Sequence, residues 1–208
     1  GGTAMLANTP GVSPEGVMRG AMKLTDNVAM SPAPHRPRST IALRMARQSW
    51  RQLYSDSQAC VAAAEQAFQR GVQRGDAAAE GWARLTRGFH MIWYATPQEA
   101  AQELIQAQRC FAATDDRAGH LLADVGLARC DWREGRFQAS LERVLPLRDE
   151  GLRILKHDGR GMLLNTIAGC YSELGQSQQA FAYMYQALRE TNAATSHGFD
   201  VVLFCNLA

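Results

Sequence analysis

The side chains in this sequence best suited to hold a metal, or to act as nucleophile and base, are five histidines, His35, His90, His120, His157 and His197, and five cysteines, Cys60, Cys110, Cys130, Cys170 and Cys205. A zinc site on a helix needs two ligands four residues apart on one face, and a structural one needs cysteines in close pairs. The sequence contains neither His-x-x-x-His nor Cys-x-x-Cys, so no metal site is expected. The DGRG run at residues 158–161 lacks the strand and the lysine of a phosphate-cradling loop and reads as a turn. There is no Gly-x-Ser-x-Gly elbow for a serine nucleophile. His90, Cys130 and Cys170 recur at intervals of about 40 residues, which suits small side chains packing between successive structural units better than a nucleophile and its base. The reading is therefore of a segment without catalytic residues or a cofactor. An odd number of scattered thiols argues against a disulfide framework and points to a reduced, cytoplasmic protein.

With little chemistry on offer, function falls to surfaces, and helices must build them. The chain has 208 residues, 46% of them hydrophobic, enough to bury a core, and runs such as CVAAAEQAF and AQELIQAQRCFAA are rich in helix formers. A net charge of +2 with balanced acids and bases excludes a concentrated basic surface for nucleic acid. No run of about 20 apolar residues is present, so no membrane span is expected.

Residues 161–192 show the clearest local pattern. Leu164, Ile167, Ala168 and Tyr171 recur at helical spacing, Gly175 interrupts, and Ala180, Met184, Ala187 and Leu188 resume as a second amphipathic helix. A shift of about 40 residues carries Ala168 onto Ala128 and Gly88, Gly175 onto Gly135, and Ala180 onto Ser140 and Ala100. The order of small residue, tyrosine, glycine, alanine, large apolar residue and alanine resembles the tetratricopeptide repeat, with Asn192 where that family carries proline. The resemblance implies an all-α fold, a right-handed α-solenoid of stacked antiparallel helix hairpins with a period of about 40 residues. The repeats would span residues 40–75, 76–114, 115–156 and 157–195, with the first helix of a further repeat at 197–208. A stack ending inside a helix suggests a piece of a longer protein.

Residues 1–39 differ from the rest, holding most of the prolines and reading as a flexible tail whose His35, Arg36 and Arg38 have two readings, solvated charges or a contact for acidic partners or lipid headgroups. It lacks the basic start and compact apolar centre of a secretory signal. Helices are then expected over residues 40–54, 58–70 and 78–94, and from Thr96 and Pro97, a cap followed by a first-turn proline, to about Ala112. Asp115 and Asp116 are placed to cap the next helix, which runs to Trp132 and ends at Gly135. Pro146 predicts a break near Leu145, either a hinge or a change in pitch, before a helix over 147–156.

Transferring the family's inward-facing positions gives a concave lining of Trp82, Leu85, Phe89 and Trp93, then Leu122, Val125, Arg129 and Trp132, then Met162, Asn165, Gly169 and Glu173. The aromatics have two readings, groove wall or packing between repeats. As a groove the lining is more apolar than polar, fitting a protein partner's helix or peptide, with Arg129 and Asn165 setting register. Val201, Leu203, Phe204 and Leu207 form a candidate self-association edge, which makes a homodimer a further expectation. The repeat class also resembles the N-terminal sensory regions of bacterial diguanylate cyclases, implying a regulatory input module for a C-terminal output domain, although no GGDEF motif lies in this chain.

Overall fold

A computed structural model of the protein describes residues 39–193, with side chains to residue 190. The proposed tail at 1–39, apart from Ser39, and the proposed helix at 197–208 with Val201, Leu203, Phe204 and Leu207 lie outside the described residues. Within them the fold is all-α. The helices are α1 (Ile41–Arg51), α2 (Ser57–Arg74), α3 (Ala77–Tyr94), α4 (Pro97–Ala113), α5 (Arg117–Arg133), α6 (Phe137–Val144), α7 (Arg148–Ile154), α8 (His157–Glu173) and α9 (Ser177–Ala193). A 3-10 turn, Leu145–Leu147, separates α6 from α7. No helix of the described residues is long and apolar enough to cross a membrane.

Local sequence fixes most of these boundaries. The side chains of Asp56, Asp76 and Asp116 each accept from the backbone N–H three residues on, at 3.0, 3.0 and 2.9 Å, satisfying a donor that the first turn leaves without a partner. Thr96 and Glu99 form a reciprocal capping box in front of Pro97. At the other ends, Arg136 N–H reaches back to the Asp131 carbonyl at 2.9 Å and Gln176 N–H to that of Tyr171 at 2.8 Å. Both closures pass through a left-handed glycine, Gly135 (φ 76°) and Gly175 (φ 73°), a backbone state that a Cβ disfavours. Pro146 breaks its helix as its missing N–H and ring demand: α6 stops at Val144 and helix resumes only at Arg148.

Several boundaries differ from those expected. The first helix stops at Arg51 rather than near Tyr54, and the second continues through Gly71 to Arg74. The DGRG run is not a turn but lies in the first turns of α8, the chain reversing instead at Leu155, whose backbone is extended. The reason is tertiary: a Cβ on Gly159 would sit 3.3 Å from Leu122 Cδ2 and from Leu155 Cβ, so the helix start approaches α5 closely.

Each helix packs on its neighbour in sequence through most of the chain. In addition α1 lies on α3, α3 on α5 and α5 on α8, so these four helices form one layer, with α2, α4 and α6 packed against its members. Contact across the layers is tight. A Cβ on Gly119 of α5 would fall 2.4 Å from Phe111 Cε1 of α4, and one on Gly126 would meet Leu104 and Phe89 at 2.8 and 2.9 Å. Phe89, Phe111, Leu85, Leu104, Leu121 and Ile167 are among the largest wholly buried side chains of this interface. Trp50 holds the α1–α3 contact, its ring edge-on to Phe89 at 4.9 Å and to Trp82 at 6.1 Å.

Candidate functional site

Two clefts open on the layer formed by α1, α3, α5 and α8, and they share Trp93 and Arg129. The first, of about 300 Å³, lies over α3, α5 and α8 and is lined by Ile92, Trp93, Arg129, Trp132, Asn165 and Thr166, with Gly169, Arg133, Ser172, Glu173 and Met184 around its margin. The second, of about 400 Å³, runs from the α1–α2 turn across α3, past Tyr54, Ser57, Phe89 and His90. Helix spacing explains the meeting point: Arg129 and Trp132 are three residues apart and share a face of α5, and Asn165, Thr166 and Gly169 share the facing side of α8.

Arg129 is the unusual residue of this region. Only 8% of it is exposed, although it carries a guanidinium. Its Nε donates to Thr166 Oγ1 at 3.0 Å and its Nη1 to the Tyr54 hydroxyl at 3.0 Å, while the Phe89 ring lies 5.7 Å from Cζ. Its Nη2 is buried with no hydrogen-bond partner, and among the described residues no carboxylate pairs with it. The Asp131 carboxylate, two residues on, faces away and pairs with Arg136 and Arg143. Trp132 repeats the theme, since its indole Nε1 is also buried without a partner, above the hydrogen-only face of Gly169. An unpaired buried donor costs about 1–3 kcal/mol, and Arg129 and Trp132, which each carry one, both line the first cleft.

Burial pushes the Cys60 thiol up to about 11 and Cys130 to about 12, with acidic neighbours Asp56 and Asp131 acting in the same direction. Cys110 and Cys170 are raised mainly by burial as well. Such thiols hold their protons and behave as small apolar side chains. His90 stacks on Tyr94 with ring centres 4.3 Å apart, and desolvation lowers its pKa. Among the described residues no three His, Cys, Asp or Glu side chains gather as a metal site would require.

The expected concave lining divides in two. Leu85, Phe89 and Val125 are wholly buried, and Trp82, Leu122 and Met162 nearly so. Their surfaces fill the contacts between adjacent helices, as the packing alternative expects, while Phe89 also reaches the second cleft and Trp82 and Leu122 a third. Trp93, 54% exposed, with half-buried Trp132, buried Arg129 and Asn165, and exposed Glu173, does come together at the first cleft. Tyr54, Ile92, Arg133, Thr166 and Met184 were not anticipated. Thr166 adjoins the expected Asn165, whereas Tyr54 lies beyond the end of α1, where no helical period marks it.

A third cleft, of about 580 Å³, lies at the amino-terminal ends of α5 and α8, beside Arg47, Trp50, Trp82, Asp116, Lys156 and His157. Its central acid is already engaged, Asp116 accepting from Trp82 Nε1 at 2.9 Å and standing 3.9 Å from Arg47. No family model matches the chain, and neither a curated protein nor a solved structure matches it significantly.

Proposed function

We propose that this chain is a non-catalytic binding module, a tetratricopeptide-like right-handed solenoid with a unit of about 40 residues, that takes a helix or peptide of a protein partner on the layer formed by α1, α3, α5 and α8. The observation that carries the reading is the meeting of two clefts at Trp93 and Arg129, an exposed aromatic beside a buried cation. Ile92, Trp93 and Met184 offer apolar walls, and Arg129 and Asn165 supply the polar groups that fix register. The intervals between Phe89, Arg129 and Gly169 support a common origin for the three helices, each residue holding the same place on α3, α5 and α8.

A selection of displayed random peptides on the 208-residue protein tests this. Enriched peptides that bind the wild type and lose binding on Trp93→Ala, a change at an exposed position that leaves the fold intact, are the expected result. Enriched peptides indifferent to both Trp93→Ala and Trp132→Phe would remove the proposal.

A second reading, a regulatory input module of the diguanylate cyclase type whose copies associate, is favoured by Phe181 and Tyr185, one turn apart on α9 and 55% and 59% exposed. It predicts a concentration-dependent mass in light scattering that Phe181→Glu with Tyr185→Glu abolishes. A monomer at all concentrations would exclude it.

A further inference from the structure

We propose that the cleft at the amino-terminal ends of α5 and α8 binds a phosphate monoester carried on a planar aromatic body, the class of a nucleoside monophosphate, with Arg51 and Lys156 holding the phosphate and Trp50 meeting the ring. The site lies outside the two clefts assigned to a peptide and does not rest on that reading. At about 580 Å³ it is larger than either of them, and it falls in the range of about 300–1,000 Å³ that holds small organic ligands. Trp50, Trp82, Leu122 and Leu155 give it apolar walls. Arg47, Arg51 and Lys156 also line it, and all three are exposed, so its mouth is basic. Arg47, Trp50 and Arg51 lie within about one turn of α1 and share a face, while Lys156 comes from a second wall, at the start of α8.

The charges of this cleft do not cancel at its mouth. Arg47 stands 3.9 Å from Asp116 and lies over the Trp82 ring. Arg51 directs its Nε and Nη2 to the neutral Gln48 amide of its own helix, at 3.2 and 2.9 Å, and among the described residues no carboxylate pairs with Arg51 or Lys156. The two acids of the lining are engaged elsewhere. Asp116 caps α5 by accepting from the Gly119 N–H and takes the Trp82 indole N–H on its other oxygen, both at 2.9 Å. Asp158 sits in the first turn of α8, where it answers the positive end of that helix. His157 is turned to Glu190, 2.7 Å from its Nδ1. Two cations on separate walls fit a group with more than one negative charge and oxygens pointing in several directions, and a phosphate monoester carries about −1.5 to −2 charges with three acceptor oxygens at neutral pH. The walls select the body. Trp50 is half-buried and edge-on to Phe89 and Trp82, so what it leaves to the cleft is indole surface, on which a flat aromatic ring gains stacking as well as burial. The residues that follow Lys156 are helical, so the phosphate is held by side chains and not by a glycine loop.

The test titrates the full chain with the monophosphates of adenosine, guanosine, cytidine and uridine, with the corresponding nucleosides, with inorganic phosphate and with O-phosphotyrosine, by calorimetry and tryptophan fluorescence at constant ionic strength. At least one nucleotide is expected to bind about 10-fold or more tightly than its nucleoside and than inorganic phosphate, and to weaken as salt is raised. Arg51→Gln and Lys156→Glu, both at exposed positions, are each expected to weaken that nucleotide by about 3-fold or more and to leave nucleoside binding unchanged. No binding by any nucleotide, a nucleoside or inorganic phosphate as tight as the nucleotide, or unchanged binding by Lys156→Glu would overturn the proposal. Phosphotyrosine tighter than every nucleotide would overturn the nucleoside assignment and make the cleft a phosphopeptide site. Trp93→Ala, at the peptide clefts, should leave nucleotide binding unchanged, and a loss there would overturn the placement of the nucleotide at the ends of α5 and α8.

Discussion

Trp82 and Trp132 stand on consecutive helices of the same layer and have opposite environments. Trp82 is buried between Trp50 and Phe111, edge-on to both, and its indole N–H is satisfied by Asp116. Trp132 is half-buried, edge-on to Phe137 at 6.0 Å, and its N–H has no partner. The polar atom separates the two roles. A tryptophan whose N–H is paired inside the protein is a structural side chain, and one whose N–H is buried unpaired at a cleft is poised for a partner from outside. The same division runs along α5, which presents Leu121 and Val125 to the core and Arg129 to a cleft.

The largest effect expected from this contrast is on stability. Trp82→Ala should destabilise by about 3–5 kcal/mol in denaturant unfolding, since it empties a filled core site, while Trp132→Ala should lose about 1 kcal/mol. Similar losses from the two substitutions would break the comparison. Next, Gly119→Ala should cost about 1–3 kcal/mol, because the new methyl must displace the buried Phe111 ring between α4 and α5. The matching change on the open side, Gly169→Ala, meets only the Trp132 edge at ordinary contact distance and should leave the unfolding midpoint nearly unchanged. Smaller again is Thr96→Ala, which removes one half of the capping box of α4 and should lower stability by about 1 kcal/mol.

The last expectation concerns pH and separates the core side of α5 from its cleft side. Cys60 and Cys130 have folded pKa values raised to about 11 and about 12 from a reference of 9.0. Above pH 9 the unfolded thiols ionise while the folded ones stay protonated, so the unfolded state binds fewer protons. Their stabilising contribution is therefore complete below pH 9 and lost as pH rises toward the folded values. Unfolding midpoints followed from pH 8 to 10.5 should fall, and Cys130→Ala should flatten the decline. An unchanged slope in that variant would show that the thiol is not shielded on the core side.

Much of this fold was legible because its signals are local. Asp56, Thr96 and Asp116 cap helices through their own side chains, Gly135 and Gly175 end them through backbone freedom, and Pro146 interrupts one through a missing N–H. The DGRG run reads as a turn but is helical, because Gly159 serves a tertiary purpose, the approach of α8 to Leu122, that composition does not reveal. Among the site residues, Trp93, Arg129, Trp132 and Asn165 followed from the positions that the tetratricopeptide resemblance implies, and they share a cleft. The same transfer also selected Leu85, Phe89 and Val125, because a repeat position identifies the face of a helix but not whether another helix covers it. The Tyr54 hydroxyl, which holds Arg129 from the turn after α1, depends on contacts between residues far apart in sequence.

The most direct test of the account is the set of tryptophan indole N–H resonances in 15N-labelled protein, followed while a peptide recovered by selection on the protein is added. The indole signal of Trp132 should move downfield as its N–H gains an acceptor, with a smaller shift for Trp93 at the cleft wall and none for Trp82, already bonded to Asp116. Movement of Trp82 with Trp132 unchanged, or no movement at all up to saturating peptide, would contradict the assignment of the binding face to the cleft between α3, α5 and α8.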